Sequence, residues 1–166
     1  LTRIDDLTGL ANRRYLDHQL NAEWAIAKRS NSPISMLVVD IDQFKSINDY
    51  FGHQYGDKAI ISVAAILKKL VTRPSDLPAR FGGDEFVIIL PNTDNSGAIA
   101  LAKQICSSIE KLQIKQADDS IYPYVTISLG CATLIPNEDN TLQNLFSLAD
   151  EKLYLAKEQG RNCVAY

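Results

Sequence analysis

The chain has 166 residues, 46% of them apolar and 22% charged, with 17 Lys and Arg against 20 Asp and Glu for a formal charge of −3. That length fits one globular domain able to bury roughly 70% of its unfolded surface, and such composition excludes a disordered chain. It also lacks the basic excess that phosphate-backbone binding demands, so DNA and RNA are not expected partners.

No apolar run nears the ~20 residues of a bilayer-spanning helix, and the polar opening Thr2, Arg3, Asp5, Asp6 is not a signal peptide. A cytoplasmic domain without membrane contact of its own is expected. Cys106, Cys131 and Cys163 are scattered, with no C-x-x-C pair and only two His. That argues against a disulfide framework or a zinc site and for three small buried hydrophobes.

In chain order, a helix is expected from about Asn12, with Leu16, Leu20, Trp24 and Ala27 on one face, ending before Asn31-Ser32-Pro33. Ile34–Ile41 reads as a buried strand running into Asp40 and Asp42. A polar loop with Asn48, Asp49, Gly52 and Gly56 follows, and a second helix runs from Asp57 to about Thr72. Leu77–Phe81 and Glu85–Leu90 predict two strands joined tightly through Gly82-Gly83. Asp94 or Ser96 caps a third helix, Tyr124–Thr133 is a strand, and Thr141 opens a fourth helix stopped by Gly160. Asn162–Tyr166 forms a last short strand. The order α-β-α-β-β-α-β-α-β, without repeats or linkers, predicts a single domain over residues 1–166, an α/β or α+β sandwich of one sheet and packed helices.

Two features carry chemistry. Asp40-Ile41-Asp42 ends a buried strand, with both carboxylates on one side by alternation. Asp84-Glu85 follows two glycines between strands. If the first strand lies beside the hairpin, up to four carboxylates converge into an all-oxygen cluster suited to Mg²⁺ or Mn²⁺ with a phosphate substrate. Solvated strand ends and an ordinary acidic turn explain the same pattern equally well. Gly82-Gly83 serves a turn and also lets a backbone approach a bulky ligand. Neither G-x-x-x-x-G-K-[ST] nor G-x-G-x-x-G is present.

Five blocks in order carry a family resemblance. They are Asp5-Asp6-Leu7-Thr8-Gly9-Leu10-Ala11-Asn12-Arg13-Arg14; Asp40-Ile41-Asp42-Gln43-Phe44-Lys45-Ser46-Ile47-Asn48-Asp49; Phe51-Gly52-His53 with Gly56-Asp57; Arg80-Phe81-Gly82-Gly83-Asp84-Glu85-Phe86; and Tyr154-Leu155-Ala156-Lys157 with Gly160-Arg161-Asn162. Spanning residues 5–162, they resemble the GGDEF family of diguanylate cyclases. The resemblance implies a mostly antiparallel, palm-like sheet with surrounding helices, similar to class III nucleotidyl cyclases. It implies condensation of two GTP into cyclic di-GMP, with two pyrophosphates released and two Mg²⁺ or Mn²⁺ ions per active site.

By the same resemblance Asp40, the Ile41 carbonyl, Asp84 and Glu85 bind metal, and Asp84 with Glu85 is catalytic. Phe44, Lys45, Asn48, His53, Asp57, Gly82, Gly83, Lys157 and Arg161 bind substrate. Asn48 and Asp57 meet guanine, whose N1–H and N2–H₂ donors adenine lacks; Asp57 also sits where a cap for the second helix is expected. Lys45, Lys157 and Arg161 meet triphosphate oxygens. Arg73-Pro74-Ser75-Asp76 is similar to the family's R-x-x-D inhibitory product site. Two domains must face each other as a homodimer, and the chain is expected to be the C-terminal part of a longer sensor, with tethering to the inner membrane left to its other regions. The alternative is an inactive member that senses cyclic di-GMP through Arg73 and Asp76.

Overall fold

The computed structural model describes residues 2–166; Leu1 lies outside the described residues. Its elements are α1 (Arg13–Ser30), β1 (Ile34–Ile41), α2 (Phe44–Phe51), α3 (His53–Leu70), β2 (Leu77–Gly82), β3 (Glu85–Pro91), α4 (Asn95–Lys111), β4 (Ile127–Leu134), α5 (Leu142–Glu158) and β5 (Val164–Ala165). The helix ends follow their caps. Asn12, Asp94 and Thr141 accept from Tyr15, Gly97 and Asn144 backbone N–H groups, and Thr141 with Asn144 forms a reciprocal capping box.

Two expectations fail together around α2. The polar loop is a helix, and α3 begins at His53 with Gly52 as its N-cap, so Asp57 lies in the second turn and caps nothing. Phe44, Ile47 and Phe51 supply the apolar side that seats α2 on the core. Gly56 is interior to α3, where a Cβ would stand 1.9 Å from Asn48 Oδ1 and 3.2 Å from Phe44 Cζ. Only glycine lets the two helices meet this closely.

The sheet is open, in the order β2-β3-β1-β4-β5. Neighbours are antiparallel except β4 and β5, which run parallel. Helices cover both faces, so β1 is buried along its whole length and reads as a continuous apolar run. Leu37, Val39 and Ile41 join Phe86, Ile88 and Leu129 in a core under α3 and α4. Met36 and Val38 join Val87 and Ile89 in a second core under α1 and α5. Alternation therefore sends Asp40 toward α5. There, β4 and α5 touch backbone to backbone: a Cβ on Gly130 would stand 2.1 Å from Ala149 O and 2.3 Å from Leu153 N.

Cys106 and Cys131 are buried free thiols, while Cys163 is only half-buried. Burial pushes the Cys106 thiol up to about 12 and that of Cys131 up to about 11, which keeps both unreactive. No helix among the described residues is long and apolar enough to cross a membrane.

Candidate active site

The β2–β3 hairpin sets the first half of the site. Gly82 still belongs to β2 and pairs with Glu85, after a register shift past Arg80, so the turn itself is Gly83-Asp84 rather than Gly82-Gly83. Gly83 has φ +26°, and a Cβ at either glycine would meet nothing within 4 Å, which leaves room for a ligand above the turn. Arg80 stiffens this turn from below, donating to Gly83 O through Nε at 3.1 Å and Nη2 at 2.8 Å. Its Nη1 reaches Asp5 Oδ1 at 3.3 Å. Burial works against the Asp5 carboxylate, but Thr8 and Arg80 outweigh it and hold that carboxyl below its usual range.

Register then brings the acids together. Asp40 lies opposite Glu85 across β1 and β3, and Ile41 N–H donates to Asp84 O at 3.2 Å. The Asp84 carboxyl stands against Asp40. Burial first, then the hydrogen bond with Asp40 and its charge, push Asp84 up to about 7. Burial and the charge of Asp40 also raise Glu85. Asp40 is 8% exposed; its Oδ2 accepts from Lys157 Nζ, and its Oδ1 is buried without a donor.

An orphaned carboxylate oxygen, a crowded second carboxylate and an ammonium drawn onto the first are the signs of a site built around positive charge. The donors are hard oxygens, fitting Mg²⁺ or Mn²⁺ over softer metals. Among the described residues no three His, Cys, Asp or Glu side chains are grouped closely enough to hold a metal unaided.

Asp42 does not join the cluster as a fourth ligand. Thr126, Ser128 and the Asn162 backbone occupy its oxygens. Burial nevertheless raises its carboxyl above the usual value, against those three hydrogen bonds.

The second half of the site comes from α2 and α3. The N-cap Gln43 has φ +52° and gives no side-chain cap, so the first N–H groups of α2, at Phe44 and Lys45, have no side-chain acceptor there. An uncapped helix start suits phosphate oxygens. The Phe44 ring packs into the core, which restricts that residue to backbone contacts with a ligand. Lys45, His53 and Asp57 are exposed. Asn48 Oδ1 is buried and unpaired against Gly56. Lys157 and Arg161 lie on α5 and on the turn after it.

Arg73 and Asp76 form a closed pair directly ahead of β2. Arg73 Nε and Nη2 each donate to the Asp76 carboxylate at 3.0 Å, and Nη2 also donates to Pro91 O and Thr93 Oγ1 at 2.7 Å. Both residues line a cavity of about 210 Å³ with Leu70, Thr93 and Leu101.

Sequence reasoning assigned no part to Arg80, Asp5, Gln43 or Asn162. Arg80 and Asp5 lie within the family-like blocks, and a basic residue two positions before paired glycines is the signal in the sequence. Gln43 Oε1 accepts from Ser120 Oγ at 2.7 Å and from Ile121 N–H at 3.2 Å, contacts with no local signature.

An open α+β sheet flanked by helices, with paired carboxylates ending its central strand, defines the class of this domain. The chain belongs to the family of diguanylate cyclase GGDEF domains, whose family model matches residues 2–163. Response regulator PleD of Caulobacter vibrioides is 41% identical over 164 residues, 99% of this chain and 36% of PleD. Diguanylate cyclase DosC of Escherichia coli K12 is 38% identical over 161 residues, 97% of this chain and 34% of DosC. The GGDEF domain of DgcB from Caulobacter crescentus, solved in complex with c-di-GMP, superposes with a TM-score of 0.88 at 32% identity. That match covers 98% of this chain and 92% of the DgcB domain. The chain spans about a third of the length of the curated relatives it matches.

Proposed function

We propose that this domain condenses two GTP molecules into cyclic di-GMP and two pyrophosphates, each half-reaction completed across a homodimer. The observation that carries the reading is the Asp40–Asp84 pair, with Asp40 Oδ1 unpartnered and Lys157 on Oδ2. Asp40, Asp84, Glu85 and the Ile41 carbonyl would hold Mg²⁺ or Mn²⁺. Two such ions, when bound, neutralise the α-phosphate and leaving pyrophosphate and acidify the attacking 3′-hydroxyl.

The chain's own groups do the rest. Asn48 and Asp57 select guanine, since an Asp carboxylate facing ATP would lack the N1–H and N2–H₂ donors. Lys45 and the open start of α2 receive phosphate oxygens, joined by Lys157 and Arg161. His53 is a further substrate contact. Asp84 takes the 3′-hydroxyl proton while the exposed Gly82-Gly83 backbone lets the nucleotide lie close. One domain holds one GTP, so both phosphodiester bonds require a facing copy.

Cyclic di-GMP acts back through Arg73 and Asp76. The guanidinium is already aimed by Pro91 and Thr93, and the Asp76 carboxylate can trade it for guanine N1–H and N2–H₂ donors. The same preformed pair supports the second reading, an inactive domain that only senses cyclic di-GMP.

Incubation with GTP and Mg²⁺, with identification of products beside Asp84→Ala and an ATP control, separates the two. Cyclic di-GMP from the parent and none from Asp84→Ala or ATP is the expected result. No product from the parent at high protein concentration, with cyclic di-GMP still bound, selects the receptor.

A further inference from the structure

Asp42 is 3% exposed, and the proposed reaction makes no use of it. Its oxygens are nonetheless fully engaged. Thr126 Oγ1 donates to Oδ2 at 2.7 Å and Ser128 Oγ to Oδ1 at 2.6 Å. The Asn162 backbone N–H donates to Oδ2 at 3.0 Å. The main chain is pinned as well: Asp42 N–H donates to Thr126 O at 2.9 Å, and Gln116 Nε2 donates to Asp42 O at 3.2 Å. An acid this deep is accommodated only where such donors meet its oxygens.

The turn it grips is held in an unusual conformation. Gly160, Arg161 and Asn162 have φ of +111°, +64° and +49° in succession. Glycine adopts that region freely and asparagine tolerates it, but arginine does so only when its surroundings impose it. Asn162 Nδ2 donates to Glu110 Oε2 at 2.8 Å, a contact on the exposed side. The turn starts as a helix end, with Arg161 N–H donating to Ala156 O at 3.0 Å and the Tyr122 hydroxyl donating to Gly160 O at 2.9 Å; the Asn162 N–H, beyond reach of the helix carbonyls, is held by Asp42.

We propose that Asp42 is a positioning residue: by holding the Asn162 N–H, it sets the Gly160–Asn162 turn so that Arg161 is presented to the nucleotide in register with Asp40. The proposal rests on the reading of Arg161 as a phosphate contact. It makes one short segment, Asp40 to Asp42, serve two purposes. Asp40 faces the reacting phosphate, and Asp42 holds the turn that carries the arginine. Ser128 shares the buried knot but does not touch the turn, so it separates positioning from mere stability.

The test compares Asp42→Ala, Ser128→Ala, Arg161→Ala and the Asp42→Ala/Arg161→Ala double variant of the whole chain. The readouts are GTP affinity with Mg²⁺ by calorimetry and thermal unfolding. Arg161→Ala should weaken GTP binding about tenfold, Asp42→Ala by a similar factor, and the double variant no further than Arg161→Ala alone. Ser128→Ala should lower the melting temperature and leave GTP affinity unchanged. Equal losses from Asp42→Ala in both backgrounds overturn the proposal, as does a Ser128→Ala variant that loses affinity in step with its stability. Arg161→Ala binding GTP like the parent refutes the phosphate assignment, and the proposal with it. Weak binding by Arg161→Ala beside parental binding by Asp42→Ala refutes the positioning role alone.

Should Asp42→Ala fail to fold, Asn162→Gly carries the test, because it keeps the N–H while removing the side chain. Affinity within about twofold of the parent supports control by Asp42; a loss of about tenfold transfers control to the Asn162 side chain and overturns the proposal.

Discussion

Lys157 Nζ donates to Asp40 Oδ2, joining α5 to the end of the central strand while Asp40 Oδ1 stays buried and unpaired. The ammonium meets one oxygen of the carboxylate and leaves the other without a donor. Asp40→Asn removes the carboxylate charge and the hardest oxygen donor together. Product formation from GTP with Mg²⁺ should fall at least about a hundredfold, more than loss of a supporting contact would give. Product formation near the parental rate would remove Asp40 from the site.

Burial first, and then Asp40, push the folded Asp84 carboxyl up to about 7 from a usual 3.8. The folded state therefore holds this proton more tightly than the unfolded chain. The stability it contributes is fully present below about 3.8 and is lost as pH rises through about 7. In metal-free buffer Asp84→Asn, which imitates the protonated form, should melt like the parent at acid pH and above it at pH values past 7. Parallel melting curves at all pH values would show that burial and Asp40 do not load this group.

Gly56→Ala places a methyl 1.9 Å from Asn48 Oδ1. Overpacking of this kind costs about 1–3 kcal/mol. The collision also pushes Asn48 off its position, so GTP affinity should drop along with denaturant stability. A variant destabilised but binding GTP normally would detach Asn48 from the base.

Arg73→Ala strips the Asp76 carboxylate, whose side chain is 5% exposed, of its bidentate partner. Leaving a buried acceptor unpaired costs about 1–3 kcal/mol. Calorimetry should show cyclic di-GMP binding lost, and turnover should persist at product concentrations that stop the parent. Undiminished binding would place the product elsewhere.

The proposed homodimer, with one GTP in each domain, predicts a specific activity that rises with protein concentration before levelling off. A dilution series read by product formation checks this. Constant specific activity down to nanomolar protein would argue for complete catalysis within one chain.

Strands β1 and β3 and four of the helices were legible because burial leaves a simple record: an apolar run for a strand enclosed on both faces, and a repeated stripe with a capping residue for a helix. Helix α2 was missed because Asn48, Asp49 and Gly52 carry the composition of a loop. Its spacing of Phe44, Ile47 and Phe51 was there to be read, but three positions in eight residues make a short pattern. Gly56 misled for a similar reason, since a glycine chosen for helix contact looks the same in sequence as one chosen for a turn. The acids at the strand ends could be found from alternation, but the assignment of Asp42 to Thr126, Ser128 and Asn162 could not. Those partners lie 84, 86 and 120 residues away. The Arg80–Asp5 link, 75 residues apart, is hidden in the same way.

The bare contact of Gly130 with the α5 backbone at Ala149 and Leu153 has a mechanical consequence. Lys157 follows Leu153 by four residues, roughly 6 Å along the helix axis. With no side chain cushioning the joint, α5 cannot rock against the sheet without backbone colliding with backbone. The helix is a fixed mount, and the freedom of its ammonium resides in the four methylenes of a lysine stem. The ammonium can then leave Asp40 by rotamer change alone, with the scaffold at rest.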